Sequence, residues 1–141
     1  MPASIYFLKI SSNILKGKKR KTYNWLKQTI EKEKKTIGNI SIILTSKKEL
    51  LAINKKYLKH SYHTDIVTFN YNENNIISGD LFISLPQIKE NSKTYNVTYE
   101  QELLRVIIHG VFHLLGYNDK TEKEKIVMRK KEDNALSFYY L

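Results

Sequence analysis

The chain reads as a mixture of four strands and five helices, an element list compatible with an α+β fold. Two observations carry that reading. Short β-branched and aromatic runs alternate with longer segments whose apolar residues recur at helical spacing. Three helix starts are also written as capping boxes: Ser46 with Glu49, Thr98 with Gln101, and Thr121 with Glu124. With 141 residues the simplest organisation is one domain, 1–141, large enough for a sizeable core. Hydrophobic residues at 41% and charged residues at 27% exclude a disordered or fibrous class.

In chain order, Ser4 to Ile10 is rich in Ile, Tyr and Phe and reads as a first strand. The stretch from Lys16 to Lys21 then packs positive charge around Gly17. A helix is expected from about Thr22 to Lys35, with Trp25, Leu26, Thr29 and Ile30 on its apolar side and Gly38 as its stop. Asn39 to Thr45 is a β-branched second strand. The box at Ser46 opens a helix to about Leu58, whose Leu50, Leu51, Ile53, Asn54, Tyr57 and Leu58 predict one buried stripe. Asp65 to Tyr71 reads as a third strand and Asn72 to Asn75 as a turn. Ile76 to Ser84 forms a fourth strand, in which Gly79 marks a bulge or a close approach. Pro86 suits the first turn of a helix over roughly Leu85 to Lys93.

The box at Thr98 opens a long helix reaching Leu115 that is apolar nearly all round, as a buried central helix should be. Its exceptions, Glu102, Arg105, His109 and His113, fall near one line along its side, and polar groups in such a place need partners or a task. Gly116 supplies the position just past the helix end. The box at Thr121 starts a last helix towards Tyr140.

Lys and Arg number 24 against 14 Asp and Glu, a net charge of +10, and the sequence pI is near 9.6. Such a field attracts polyanions and favours a nucleic-acid partner. The bland alternative is a generally lysine-rich composition, since Arg20, Arg105 and Arg129 are the arginines present. No apolar run is long enough to span a bilayer, and the first residues lack the pattern of a signal peptide. A soluble cytoplasmic protein is expected. With no cysteine, a transition-metal site must be built from His and carboxylate.

His109, His113 and Asp119 offer such a set. Residues four apart on a helix share a face. A chain turning back after Gly116 would bring the carboxylate to both imidazoles. Neutral imidazole and carboxylate suit zinc, and three protein ligands leave a fourth position for water, as in catalytic sites. The spacing HxxxHxxGxxD invites comparison with the metzincin protease pattern HExxHxxGxxH, in which the residue after the first histidine is the general base. Here that residue is Gly110, which disfavours proteolysis. On a basic protein, a metal-bound water attacking a phosphodiester is the better expectation. An anionic third ligand lowers the net charge at the metal, so bound water should be less acidic than in a site of three histidines. Asp119→His is therefore expected to lower the kinetic pKa of activity, read from a pH–rate profile.

The run from His109 to Tyr117 resembles the signature of the YbeY family of metal-dependent single-strand endoribonucleases linked to ribosomal RNA maturation. Thr64 to Phe69 and Ser78 to Ile83 resemble that family's TDVLSF-type and GDI-type strands, and order and spacing agree from about Leu51 to Leu136. The resemblance implies an α+β fold with a mixed, roughly four-stranded sheet, about five helices, and a metal at the C-terminal end of the central helix. It implies one zinc ion, or another divalent metal, held by His109, His113 and Asp119. It also implies single-stranded RNA, from ribosomal RNA or ribosomal subunits, as substrate, with no membrane partner.

Asn118 stands where the family usually has Asp, and two further positions depart from its pattern. Asp119 stands where the family has a third histidine, and Leu58 where an arginine is usual. These departures keep open a second function, an RNA- or ribosome-associated assembly factor with a structural metal and little cleavage. A metal-dependent protease is third. Candidate RNA contacts are Lys18, Lys19, Arg20, Lys21, Lys59 and Lys120. Tyr139 and Tyr140 are expected to pack the last helix onto the body or to fray, rather than to stack on bases.

Overall fold

A computed structural model describes residues 4–8, 14–59 and 64–141. The elements are β1 (Ser4–Leu8), α1 (Lys19–Lys32), β2 (Thr36–Thr45), α2 (Lys47–Leu58), β3 (Ile66–Asn70), β4 (Ile76–Ser84), α3 (Leu85–Thr94), α4 (Tyr99–Leu114) and α5 (Glu122–Tyr139). The class is α+β. The strands pair in the order β1-β2-β4-β3. β1 and β4 both run parallel to β2, while β3 pairs antiparallel with β4 along the sheet's edge. The last two residues of the expected first strand, Lys9 and Ile10, lie outside the described residues.

Successive strand residues face opposite sides, and the two sides are unequally covered. Ile40, Ile42 and Leu44 of β2, with Ile77, Leu81 and Ile83 of β4, join the main core. Trp25, Leu26 and Ile30 of α1, Ile88 of α3, and Met128, Ala135 and Tyr139 of α5 close over the same core, with α4 at its centre. Leu103, Leu104, Ile107, Ile108 and Val111 of α4 are fully buried, as its sequence required. Trp25 locks α1 to α5: its Nε1 donates to the Ala135 carbonyl at 2.7 Å, and its ring meets Tyr139 edge-on at 4.9 Å. Tyr139 thus packs the last helix down as expected, whereas Tyr140 stays half-exposed and donates from its hydroxyl to Glu100 at 2.8 Å.

On the other side α2 lies against β3 and β4, where Ile43, Leu50 and Val67 are buried. All three capping boxes form. Two expectations need correction. In α2 only Leu50 and Asn54 are buried; Tyr57 and Leu58 are 58% and 40% exposed, because the helix covers one end of the sheet face and leaves its last turn in solvent. Gly38 does not end α1, which stops at Lys32 with Glu33 as its cap. It lies inside β2, where the register with β4 shifts between Ile37 and Ile40, and a side chain there would strike Ser78 and Ile76.

Candidate metal centre

Close backbone approach sets the position of α4. A side chain at Gly110 would begin 2.8 Å from Ile66 Cδ1 and 3.0 Å from Leu81 Cδ2, so the glycine faces the sheet and lets the helix settle on it. At Gly79 the same construction meets the Phe69 carbonyl oxygen at 2.5 Å and Leu114 at 2.8 Å, which is the expected close approach. Asn72 holds the end of the helix. Its Nδ2 donates to the Leu114 carbonyl at 2.8 Å, while its Oδ1 accepts from the Ser78 backbone N–H at 2.9 Å. The β3–β4 hairpin is thereby tied to the last turn of α4.

The helix ends in a Schellman motif. Tyr117 N–H donates to Phe112 O and Gly116 N–H to His113 O, both at 3.0 Å, with Gly116 at φ +100°, a conformation that glycine adopts without strain. The accompanying apolar contact is Phe112 against Tyr117, 5.7 Å between ring centroids. This reversal has two chemical results. The Tyr117 carbonyl lies 2.9 Å from His113 Nδ1. Asp119 Oδ2 lies 3.1 Å from His109 Nε2 and 3.2 Å from His113 Nε2, and the two Nε2 atoms are 3.0 Å apart. His109, His113 and Asp119 are the ligand-type cluster found among the described residues.

Hydrogen bonding at the other ring nitrogens shows what these three atoms are. A carbonyl only accepts, so His113 Nδ1 carries a proton and, in the neutral ring, Nε2 is a lone pair. His109 Nδ1 is 2.6 Å from Glu132 Oε2, a carboxylate that also accepts, with the same consequence. Two lone pairs and a carboxylate oxygen therefore converge, and a cation must separate them. That cation is either a proton or a metal ion. Three ligands each about 2.0–2.2 Å from one tetrahedral zinc stand roughly 3.3–3.6 Å apart, within about half an ångström of the observed edges. The donor set fits zinc in number, chemistry and spacing.

Glu132 was invisible in the sequence as a functional residue, although it is buried and turns the His109 ring. Its second oxygen accepts from Arg105 Nη1 at 3.0 Å, and Arg105 Nη2 reaches Asp133 at 2.7 Å. A carboxylate behind a ligating histidine is the usual device for fixing its tautomer. Tyr117 is likewise braced from afar: its hydroxyl donates to Glu33 Oε1 at 2.6 Å, and Lys131 Nζ donates to Glu33 Oε2 at 2.9 Å. The four polar side chains expected along one line of α4, Glu102, Arg105, His109 and His113, are thus accounted for by this network or by the cavity beside it.

Burial pushes the His109 pKa down, but the hydrogen bond and charge of Glu132, with Asp119 and Asp65, outweigh it and hold the pKa above its ordinary 6.5. Burial lifts the Asp65 carboxyl above the usual range against the pull of His109, and burial together with Asp65 does the same to Glu102. A raised histidine pKa stabilises the metal-free fold fully below the unfolded-state value, and this contribution is lost as pH rises through the folded one. In chelator, the unfolding midpoint of the protein is therefore expected to fall as pH climbs from about 6.5. His109→Asn should flatten that part of the curve in thermal melts across the range.

Two cavities meet at the cluster. One, of about 370 Å³, is lined by Asn54 and Leu58 of α2, by residues 64–68, and by His109, His113 and Asp119. The other, of about 500 Å³, extends from Asp65, His109 and Asp119 between α3, α4 and α5. Lys59, in the left-handed conformation at the end of α2, follows Leu58 of the first lining, and Lys120 follows Asp119. The basic run does not reach the cluster. Lys18 is paired with Glu100 at 2.6 Å and Lys21 lies over the Tyr139 ring, placing Lys18 to Lys21 beside the first turn of α4. Helical rise puts that turn about 14–20 Å from His109 and His113.

Comparison with known proteins agrees with this architecture. The family model described as endoribonuclease YbeY matches residues 8–140. Proteins named endoribonuclease YbeY include one from Bacteroides fragilis, 48% identical over 120 residues, covering 85% of this chain and 86% of the relative. Another, from Azobacteroides pseudotrichonymphae, is 52% identical over 115 residues, covering 82% and 83% respectively. The solution structure of TM1509 from Thermotoga maritima superposes with a TM-score of 0.67 at 25% identity, over 99% of this chain and 89% of that one. Family match, relatives and fold agree: the chain belongs to the endoribonuclease YbeY family.

Proposed function

We propose that the chain is a zinc-dependent endoribonuclease that cuts single-stranded RNA in ribosomal RNA maturation, in the cytoplasm, with the ion at the C-terminal end of α4. The observation that carries this reading is the convergence of two imidazole lone pairs and one carboxylate oxygen on a single point beside an open cleft. His109, His113 and Asp119 hold the ion. When bound, the ion supplies a Lewis acid for a phosphoryl oxygen and an acidified water. The remaining roles belong to the chain. Glu132 and the Tyr117 carbonyl keep both Nε2 atoms turned inward, and the cleft admits the strand. Lys59 and Lys120, each next in sequence to a residue of the cleft lining, offer ammonium groups to phosphates. The net charge of +10 draws RNA to the surface in a salt-dependent way.

A second reading, an assembly factor that binds RNA and cuts poorly, is favoured by Leu58. This half-exposed side chain lines the cleft and has no group to grip a phosphate. One comparison separates the two. Metal-analysed protein and His113→Ala are incubated with single-stranded RNA, with and without chelator. Cleavage lost both in the variant and in chelator supports the ribonuclease. Salt-sensitive binding without cleavage by the metal-loaded protein supports the assembly factor.

A further inference from the structure

The proposed chemistry leaves unused a group of aromatic rings on the side of the sheet that α2 covers incompletely. Val67 pairs with Phe82 and Phe69 with Asp80, so these residues share the face turned away from α4. The Phe69 ring is held edge-on between Tyr57 of α2, at 5.5 Å, and Phe82, at 5.6 Å. Tyr71, one residue past the end of β3, stands beside Asp80, which together with burial raises the pKa of its hydroxyl. These contacts brace the rings without covering them: Tyr57 is 58% and Tyr71 57% exposed. A braced, exposed ring loses little freedom when a ligand stacks on it.

Charge and position say which ligand. Lys55, Lys56 and Lys59 stand exposed in the last turn and cap of α2, and Lys56 Nζ lies 5.2 Å from the Tyr57 ring centre. Asn54 and Leu58, beside Tyr57 on the helix, and Val67 and Thr68, beside Phe69 on the strand, line the cleft that opens on His109, His113 and Asp119. Rings interleaved with ammonium groups suit a single-stranded nucleic acid, whose bases present π-faces and whose phosphates present charge. A duplex hides those faces in its own stack.

We propose that Tyr57 and Tyr71, with Lys55 and Lys56 beside them, form a base-stacking platform that holds an unpaired stretch of RNA leading into the cleft. The identity of the polymer rests on the ribonuclease reading, but the test does not depend on cleavage. In chelator, fluorescence anisotropy measures the affinity of a labelled single strand of about 12 nucleotides and of the same strand with abasic central positions. Tyr57→Ala and Tyr71→Ala are each expected to weaken binding of the intact strand by about 5- to 150-fold. Tyr57→Trp should restore it, and the abasic strand should bind the wild type about as weakly as the intact strand binds the alanine variants. Far-UV circular dichroism and unfolding midpoints verify that the variants are folded. Equal affinity for intact and abasic strands overturns the proposal. So does undiminished binding by both alanine variants, or no binding by the wild type, and each would leave the rings to a protein partner. Tyrosine-dependent binding without cleavage by the zinc-loaded protein would instead defeat the ribonuclease reading alone.

Discussion

Glu132→Gln is expected to lower zinc affinity by about 10- to 100-fold while leaving the helices in place. The two Glu132 oxygens face two donors, His109 Nδ1 and Arg105 Nη1. A glutamine has one acceptor oxygen and one donor amide. If the oxygen serves His109, the amide meets the guanidinium donor to donor, and a buried pair is lost. If the oxygen serves Arg105, the amide donates to His109 Nδ1, the proton moves to Nε2, and that nitrogen can no longer ligate. Both orientations weaken the site, one through the fold and one through the tautomer. Competition against a chromophoric chelator gives the affinity, and unfolding in the same chelator gives the stability. Wild-type affinity in the variant would mean that Glu132 does not set the His109 tautomer.

Gly79→Ala is expected to cost about 2–3 kcal/mol of stability, at the upper end of ordinary overpacking. The new methyl would meet the Phe69 carbonyl oxygen, which belongs to the backbone of the neighbouring strand and cannot swing aside. It would also press on Leu114, the last residue of α4. Gly110→Ala makes the informative contrast. There the obstacles are the tips of Ile66 and Leu81, and alanine gains about 1 kcal/mol of helix propensity over glycine. Urea denaturation should therefore rank Gly79→Ala well below Gly110→Ala. The reverse order would show that the sheet edge yields more easily than the helix–sheet contact.

What could be read in advance was local. Capping boxes and the glycine after α4 depend on neighbours within a few residues, and α2 and β4 begin and end where their sequences say. The convergence of His109, His113 and Asp119 was also legible, because they lie within eleven consecutive positions joined by one turn type. What escaped depends on distant partners. Glu132 looks like one charge among many in α5 and acquires meaning only from His109, 23 positions away. Asn72 reads as a turn residue, yet it bonds Leu114 across 42 positions. The α2 stripe was misjudged for a related reason: periodicity shows which residues share a face, not how far the sheet beneath extends. Gly38 resembled a helix stop because a glycine that permits a bulge and one that ends a helix are the same letter.

The support behind the two histidines has a consequence for how the site comes into being. The three donors are neighbours in sequence and can find one another as soon as α4 and its turn form. The tautomer of His109 waits for α5 to dock and bring Glu132. Before docking, an ion meets an imidazole free to offer either nitrogen; afterwards one choice remains. Docking therefore acts as a latch, and by reciprocity an ion that binds the latched form more tightly than the open one helps to hold it closed, by as much as its affinities for the two forms differ. Hydrogen exchange should register this as slower opening of α5 amides on adding zinc, in a helix that contributes no ligand of its own.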